Sequence, residues 1–214
     1  NRDDSYLKKT YAKDYHHHDY RNSSIKNYLS AAEYLSTENI YTLRMGSIVS
    51  EKINLKNKYI IDYASNGMRT DFLDVFLSFK CFFWVSGGTG LDSFAPVYRK
   101  PILQTNFCPI IPYNLFKSLP QFTIVIFKYY YDEILRKNMT IDEIFQKDAQ
   151  TIQRSDIYKK KNISIIENTS DEILNGTKEM IKLLNGKYEK NPDLNRLLKK
   201  FWNKAGNFKN ESEY

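Results

Sequence analysis

The 214-residue chain has only two cysteines, Cys81 and Cys108, each in an apolar setting. This rules out a disulfide-stapled miniprotein and predicts two small buried hydrophobes in a reducing compartment. No run reaches the roughly eighteen apolar residues of a membrane span, and no signal peptide opens the chain. A cytoplasmic location is the expectation. The chain starts at "NRDDSYL" without Met, and further sequence is expected before Asn1. Three signatures are missing: the Gly-Lys-Ser/Thr end of a phosphate-binding P-loop, the GxGxxG dinucleotide spacing and the G-x-S-x-G hydrolase elbow. There is no Asp-x-Asp triplet to hold a divalent ion, no helix-turn-helix, no RNA-binding signature and no internal repeat.

The composition is 42% apolar and 27% charged, near the globular average. A formal net charge of +7 suits an anionic partner: nucleic acid, a phosphorylated substrate or an acidic lipid surface. The basic residues are nevertheless spread along the chain. The densest cluster, "YKKKN" at Tyr158 to Asn162, reads as a solvated loop.

"SSIKNYLSAAEYL" puts Ile25, Tyr28, Leu29, Ala32 and Leu35 at helical spacing, with Ser23 or Ser24 as N-cap. "IYTLRMG" (Ile40 to Gly46) and "YIIDYA" (Tyr59 to Ala64) read as strands. From Arg69 the order is helix to Lys80, strand Cys81 to Ser86, glycine turn Gly87 to Gly90, helix Leu91 to Lys100 and strand Pro101 to Asn106. Phe72, Leu73, Val75, Phe76, Leu77 and Phe79 form the apolar positions of the first of these helices. That alternation is the pattern of a parallel sheet with crossovers. The fold class expected is α/β: a Rossmann-like parallel sheet with helices on both faces. Beyond Asn106, "FCPIIPYNLFKSLPQ" reads as a loop and "FTIVIFKYYYDE" as β-prone. "TIDEIFQKD" opens with a capping box, "ISIIENT" reads as a strand, and a helix capped by Ser170 follows. Leu194, Leu197, Leu198, Phe201 and Trp202 mark a last amphipathic helix. Residues 1–190 are therefore read as one domain and 191–214 as a C-terminal helical wrap.

Ligands of an open parallel sheet bind beyond the carboxyl ends of its strands. The loop Ser86, Gly87, Gly88, Thr89, Gly90 stands there, before a predicted helix that also carries Asp92 and Ser93. Amides at a helix N-terminus, with glycines admitting close approach, suit an anion. Arg2, Arg44 and Arg69 are predicted at the same edge, with Gly46 closing the strand that carries Arg44. Arginine forks bind phosphate bidentately. One of the three is expected to pair with a carboxylate instead, Asp3, Asp62 and Asp71 being the candidates. His16, His17 and His18 lack zinc-ligand spacing and are read as substrate contacts or a general base. Arg21 and Asn22 lead into the following helix beside the same region. Asp3, Asp4, Asp14, Asp19, Asp71 and Asp92 are the candidate acids.

The ordered segments "RDDSYL", "HDYRNSSIKNYLSAAEYL", "YTLRMGS", "IDYASNGMRTDFLDVFLSFKCFFWVSGGTGLDSFAPVYRKPILQTN" and "IIENTSDEI" resemble a family of bacterial glycosyltransferases encoded with surface-polysaccharide genes. The resemblance covers nearly the whole chain. In that family the first motif reads His-Val-Arg-Asp, and this chain starts at its arginine-aspartate end. The resemblance implies a GT-B architecture, of which this chain is similar to the C-terminal, donor-binding half. It places Arg2 and Asp3 on the first motif, Arg21 and Asn22 on the second, Arg44 and Gly46 on the third, and Arg69, Asp71 and Ser86 to Ser93 on the fourth. The implied reaction is metal-independent sugar transfer from a nucleotide-diphosphate donor to a glycan or lipid-linked glycan acceptor. The glycine loop and arginines would stabilise the leaving diphosphate. Asp3, His18 and Arg21 are the catalytic candidates. No metal or further cofactor and no nucleic-acid partner are expected. A position at the inner face of the inner membrane, with peripheral association, fits such an acceptor. Two other readings stay open: a GT-B-like nucleotide-sugar epimerase, and a binding module that does not catalyse transfer.

Overall fold

The computed structural model describes residues 1–10, 15–111, 122–189 and 191–206. Asp14 and most of the proline-rich loop, residues 112–121, lie outside that set. The described chain is a mixed α/β protein with small parallel sheets and helices.

A short helix, α1 (Ser5–Thr10), precedes a 3-10 helix over His16–Arg21. Next come a 3-10 turn over Ile25–Tyr28 and α2 (Leu29–Thr37), with the Ser24 hydroxyl accepting the Lys26 N–H. Ile25, Tyr28, Ala32 and Leu35 are buried as their spacing predicts, and Ala31 joins them. β1 (Thr42–Leu43) and β2 (Ile60–Ile61) form a parallel pair. α3 (Asp71–Lys80), capped by the Thr70 hydroxyl, leads into β3 (Trp84–Ser86).

β3 pairs in parallel with β4 (Ile102–Phe107), and β4 with β5 (Thr123–Phe127), after the short α4 (Phe94–Val97). Central in this sheet, β4 is buried from Ile102 to Asn106. One residue, Lys128, separates β5 from β6 (Tyr129–Asp132), which pairs antiparallel with β7 (Lys137–Asn138) and β8 (Ile163–Ile166). α5 (Ile141–Gln146) and α6 (Ser155–Lys160) lie between β7 and β8. α7 (Ser170–Leu184) packs on α2, β4 and β5. Gly176 permits this closeness, because a methyl there would sit 2.6 Å from Ile126 Cδ1.

Several details differ from the expectations. The strands form three small sheets instead of one, and the tyrosine-rich strand belongs to the antiparallel one. Thr169, not Ser170, caps α7, with Glu172 completing the box. Tyr158 is no loop residue: it lies within α6 as a core anchor, 2% exposed. In α8 (Pro192–Gly206) Phe201 and Ala205 are the buried residues, Leu194 is half-buried and Leu197, Leu198 and Trp202 are exposed, while Lys204 pairs with Asp142. In α3 the buried residues are Asp74 and Ser78, while Phe72, Val75, Phe76 and Phe79 face outwards. Among the described residues no helix is long and apolar enough to cross a membrane.

Candidate functional site

The loop after β3 is braced from below by Asp92. Its Oδ2 accepts the Ser86 hydroxyl at 2.6 Å and the Thr89 N–H at 3.0 Å, while Ser86 Oγ accepts the Gly88 N–H at 3.2 Å. Burial raises the Asp92 pKa against these bonds, which favour its charged form. Two amides and one hydroxyl expected to face a ligand are thus spent on holding the turn. The helix beyond is also shorter than predicted: a 3-10 turn over Leu91–Ser93, then the four residues of α4. Such a helix has little macrodipole, so positive charge at this edge must come from side chains.

Arg21 supplies it directly, donating from Nη2 to the Gly88 carbonyl at 2.8 Å. Arg2 is fixed by its backbone: Ser23 N–H donates to the Arg2 carbonyl at 2.8 Å, and Arg2 N–H donates to Ser23 Oγ at 3.4 Å. The Arg2 guanidinium reaches the His18 carbonyl at 3.4 Å. Burial, with Arg21 nearby, lowers its pKa to about 10, so it remains a cation at neutral pH. Neither Arg2 nor Arg21 makes an ion pair among the described residues.

Gly87 and Gly88 are required for different reasons. A Cβ on Gly87 would meet the Tyr28 hydroxyl at 2.8 Å and Ser23 Oγ at 3.3 Å, whereas Gly88 has φ +76°. The Tyr28 hydroxyl belongs to a buried network. It shares a hydrogen bond with Thr105 Oγ1 and accepts from Asn106 Nδ2. Thr105 donates to the Ser86 carbonyl. Asn106 and Asn168 exchange backbone-to-side-chain bonds, and Asn168 Nδ2 donates to the Phe127 carbonyl. One network therefore ties the ends of β3, β4 and β5 to α2 and to the start of α7.

Above the loop lies a cavity of about 1050 Å³, opening between the β1–β2 pair and β3. It brings together Arg2, Asp3, Arg21, Arg44, Gly46, Arg69, Ser86, Gly88, Thr89, Gly90 and Ser93. Gly87 and His18 do not line it. The Arg44 side chain is only 5% exposed. It donates from Nη1 to the Glu51 carbonyl and stands 3.7 Å from Asp62, while its Nε and Nη2 are buried without a partner. Four other residues that line the cavity hold buried polar atoms without a partner: Thr42 Oγ1, Arg69 Nε, Asp74 Oδ1 and Trp84 Nε1. Two of the three arginines, not one, meet carboxylates: Arg69 at 2.8 Å from Asp74 and 3.0 Å from Asp71, and Arg44 at the longer 3.7 Å from Asp62.

The two proposed bases are less well placed. Asp3 accepts from Ser5 N–H and from both Ser50 N–H and Oγ. Burial would raise its pKa, but those bonds outweigh burial and hold it below the usual range, which makes a weak base. His18 is kept neutral by burial and by His17, Arg2 and Arg21, as a base requires. Its ring lies 4.0 Å from that of His17, away from the cavity lining. His16 pairs with Asp19 at 2.9 Å.

No protein family, curated protein or solved structure matches this chain. Geometry and chemistry alone must carry the functional reading.

Sequence reasoning missed the polar core beneath the loop and Lys128 beside it. Three successive polar residues inside an apolar strand, Gln104, Thr105 and Asn106, were the available signal, because buried polar runs need partners. Lys128 is 4% exposed, with Nζ donating to the Asn22 carbonyl. Burial lowers its pKa to about 8 from the ordinary 10.5. The unfolded chain then binds the extra proton between pH 8 and 10.5, so folding is disfavoured below that window and gains as pH rises through it. Against Lys128→Met, the native chain should gain up to about 3 kcal/mol across the window in urea unfolding. A pH-independent difference would show that this lysine titrates normally.

Proposed function

We propose that this chain binds the diphosphate of a nucleotide sugar and is the Rossmann-like donor half of a GT-B glycosyltransferase of surface-glycan synthesis. The observation that carries this reading is the Arg44 guanidinium, buried with two unpartnered nitrogens, in the same cavity as Gly88, Gly90 and the unpaired Arg2 and Arg21. Two buried guanidinium nitrogens without hydrogen-bond partners are costly, and a phosphate oxygen pair would satisfy them. In transfer, the acceptor oxygen bonds to the anomeric carbon as the bond to the diphosphate oxygen breaks. Negative charge grows on the departing phosphate, where the arginines neutralise it without a metal. The acceptor proton goes to a base on the acceptor side.

A second reading, donor binding without transfer by this chain alone, is favoured by one fact. Neither base candidate pairs a suitable pKa with a place on the cavity wall.

Calorimetric titration with UDP, GDP, CDP and CMP tests the binding itself. One nucleoside diphosphate should bind, and Gly90→Asp should weaken it at least about tenfold by placing a carboxylate at the loop. Gly90 has φ −65°, and a Cβ there meets nothing within 4 Å, so the variant folds. Silence from all four nucleotides, or equal binding by the variant, would remove the loop from the reading. Product analysis without acceptor separates an epimerase, which converts the donor alone.

A further inference from the structure

α3 is amphipathic in the reverse sense. A surface helix normally turns its apolar stripe to the core. Here the inward residues are polar and held locally: Ser78 donates to the Asp74 carbonyl at 2.6 Å, and Asp74 pairs through Oδ2 with Arg69. The outward face carries Phe72 at 73% exposure, Val75 at 41%, Phe76 at 42% and Phe79 at 50%. Phe72 stacks on Phe76 at 6.0 Å, and Phe79 meets Tyr98 edge-on at 5.5 Å, which joins the face to α4 and to Val97, 69% exposed. From the usual area of such side chains, these residues expose about 500 Å² of apolar surface. That approaches the largest patch an ordinary monomer shows.

Area and charge together select the occupant. A standard interface covers about 800 Å² per partner, of which about three-fifths is apolar, close to what this face offers. The two ends of the face differ in sign. Asp71, 95% exposed, stands at the start of α3, while Lys80 and Lys100 lie over the Phe79 ring at its end, at 5.4 and 5.7 Å. An anionic bilayer would meet the Asp71 carboxylate beside Phe72. A second copy turned end for end instead brings each basic end to an acidic one and opposes the helix dipoles favourably.

We propose that this face is the contact between two copies of the chain, α3 packing antiparallel on α3 about a twofold axis. The contact is independent of the nucleotide reading. Sedimentation velocity over a concentration series should show a reversible dimer. Phe76→Asp, at an exposed residue, should abolish it without changing the far-ultraviolet circular dichroism spectrum. Lys80→Glu should weaken association about tenfold, and adding Asp71→Lys should recover most of the loss. A monomer throughout, or a dimer unaffected by Phe76→Asp, overturns the proposal. So does a monomer that co-sediments with phosphatidylglycerol vesicles through Phe76, which would assign the face to lipid. Failure of the charge exchange to recover binding overturns the antiparallel arrangement.

Discussion

Asn168→Ala should cost the protein about 3–5 kcal/mol, read as a lower urea midpoint at unchanged slope. Asn168 is fully buried, and its side chain accepts the Asn106 N–H at 2.5 Å and donates to the Phe127 carbonyl at 2.8 Å. Alanine fills neither role. It leaves a donor at the end of β4 and an acceptor at the end of β5 unpaired beneath the candidate site, at about 1–3 kcal/mol each, with lost packing in addition. For a domain whose whole stability is about 5–15 kcal/mol, that is a large share. A loss under about 1 kcal/mol would mean that water or a shifted backbone takes over both bonds.

Arg44→Met should weaken both ligand binding and folding. If the cavity takes a nucleoside diphosphate, two charge-assisted bonds are lost and affinity should fall about a hundredfold or more by calorimetry. The unliganded protein should lose about 3 kcal/mol in urea unfolding. The substitution leaves the Asp62 carboxylate, 10% exposed, without the cation 3.7 Å away and the Glu51 carbonyl without its donor, and a buried charge that loses its partner is costly. Unchanged affinity together with a marked fall in stability would make Arg44 a structural residue only.

Local signals were read from the sequence where local chemistry decides them. Thr140 and Glu143 make the capping box that their order announces, and Ile25, Tyr28 and Leu35 bury the face their spacing marks. Arg2, Arg21, Arg44, Gly88 and Gly90 line one cavity. What escaped depended on long-range partners. Periodicity in α3 identifies an apolar face but not its direction, and Asp74 turns inwards because Arg69 is there to meet it. Nothing local to "SGGTG" says that Asp92 will claim the Thr89 amide and the Ser86 hydroxyl. Lys128 looks like any lysine between two strands until the Asn22 carbonyl closes over it.

The segment that carries Arg21 has its anchors far along the chain. Tyr20 N–H donates to Ser155 Oγ, 135 residues later; Ser24 N–H to Glu167, 143 later; and Asn27 to the Asn168 carbonyl, 141 later. During synthesis the ribosome delivers this segment early, yet these three anchors emerge only with the last third of the chain. A nascent chain stopped before Ser155 would hold the glycine turn without its arginine in place. Connectivity thus makes the Arg21 side of the cationic edge among the last features to be locked in place.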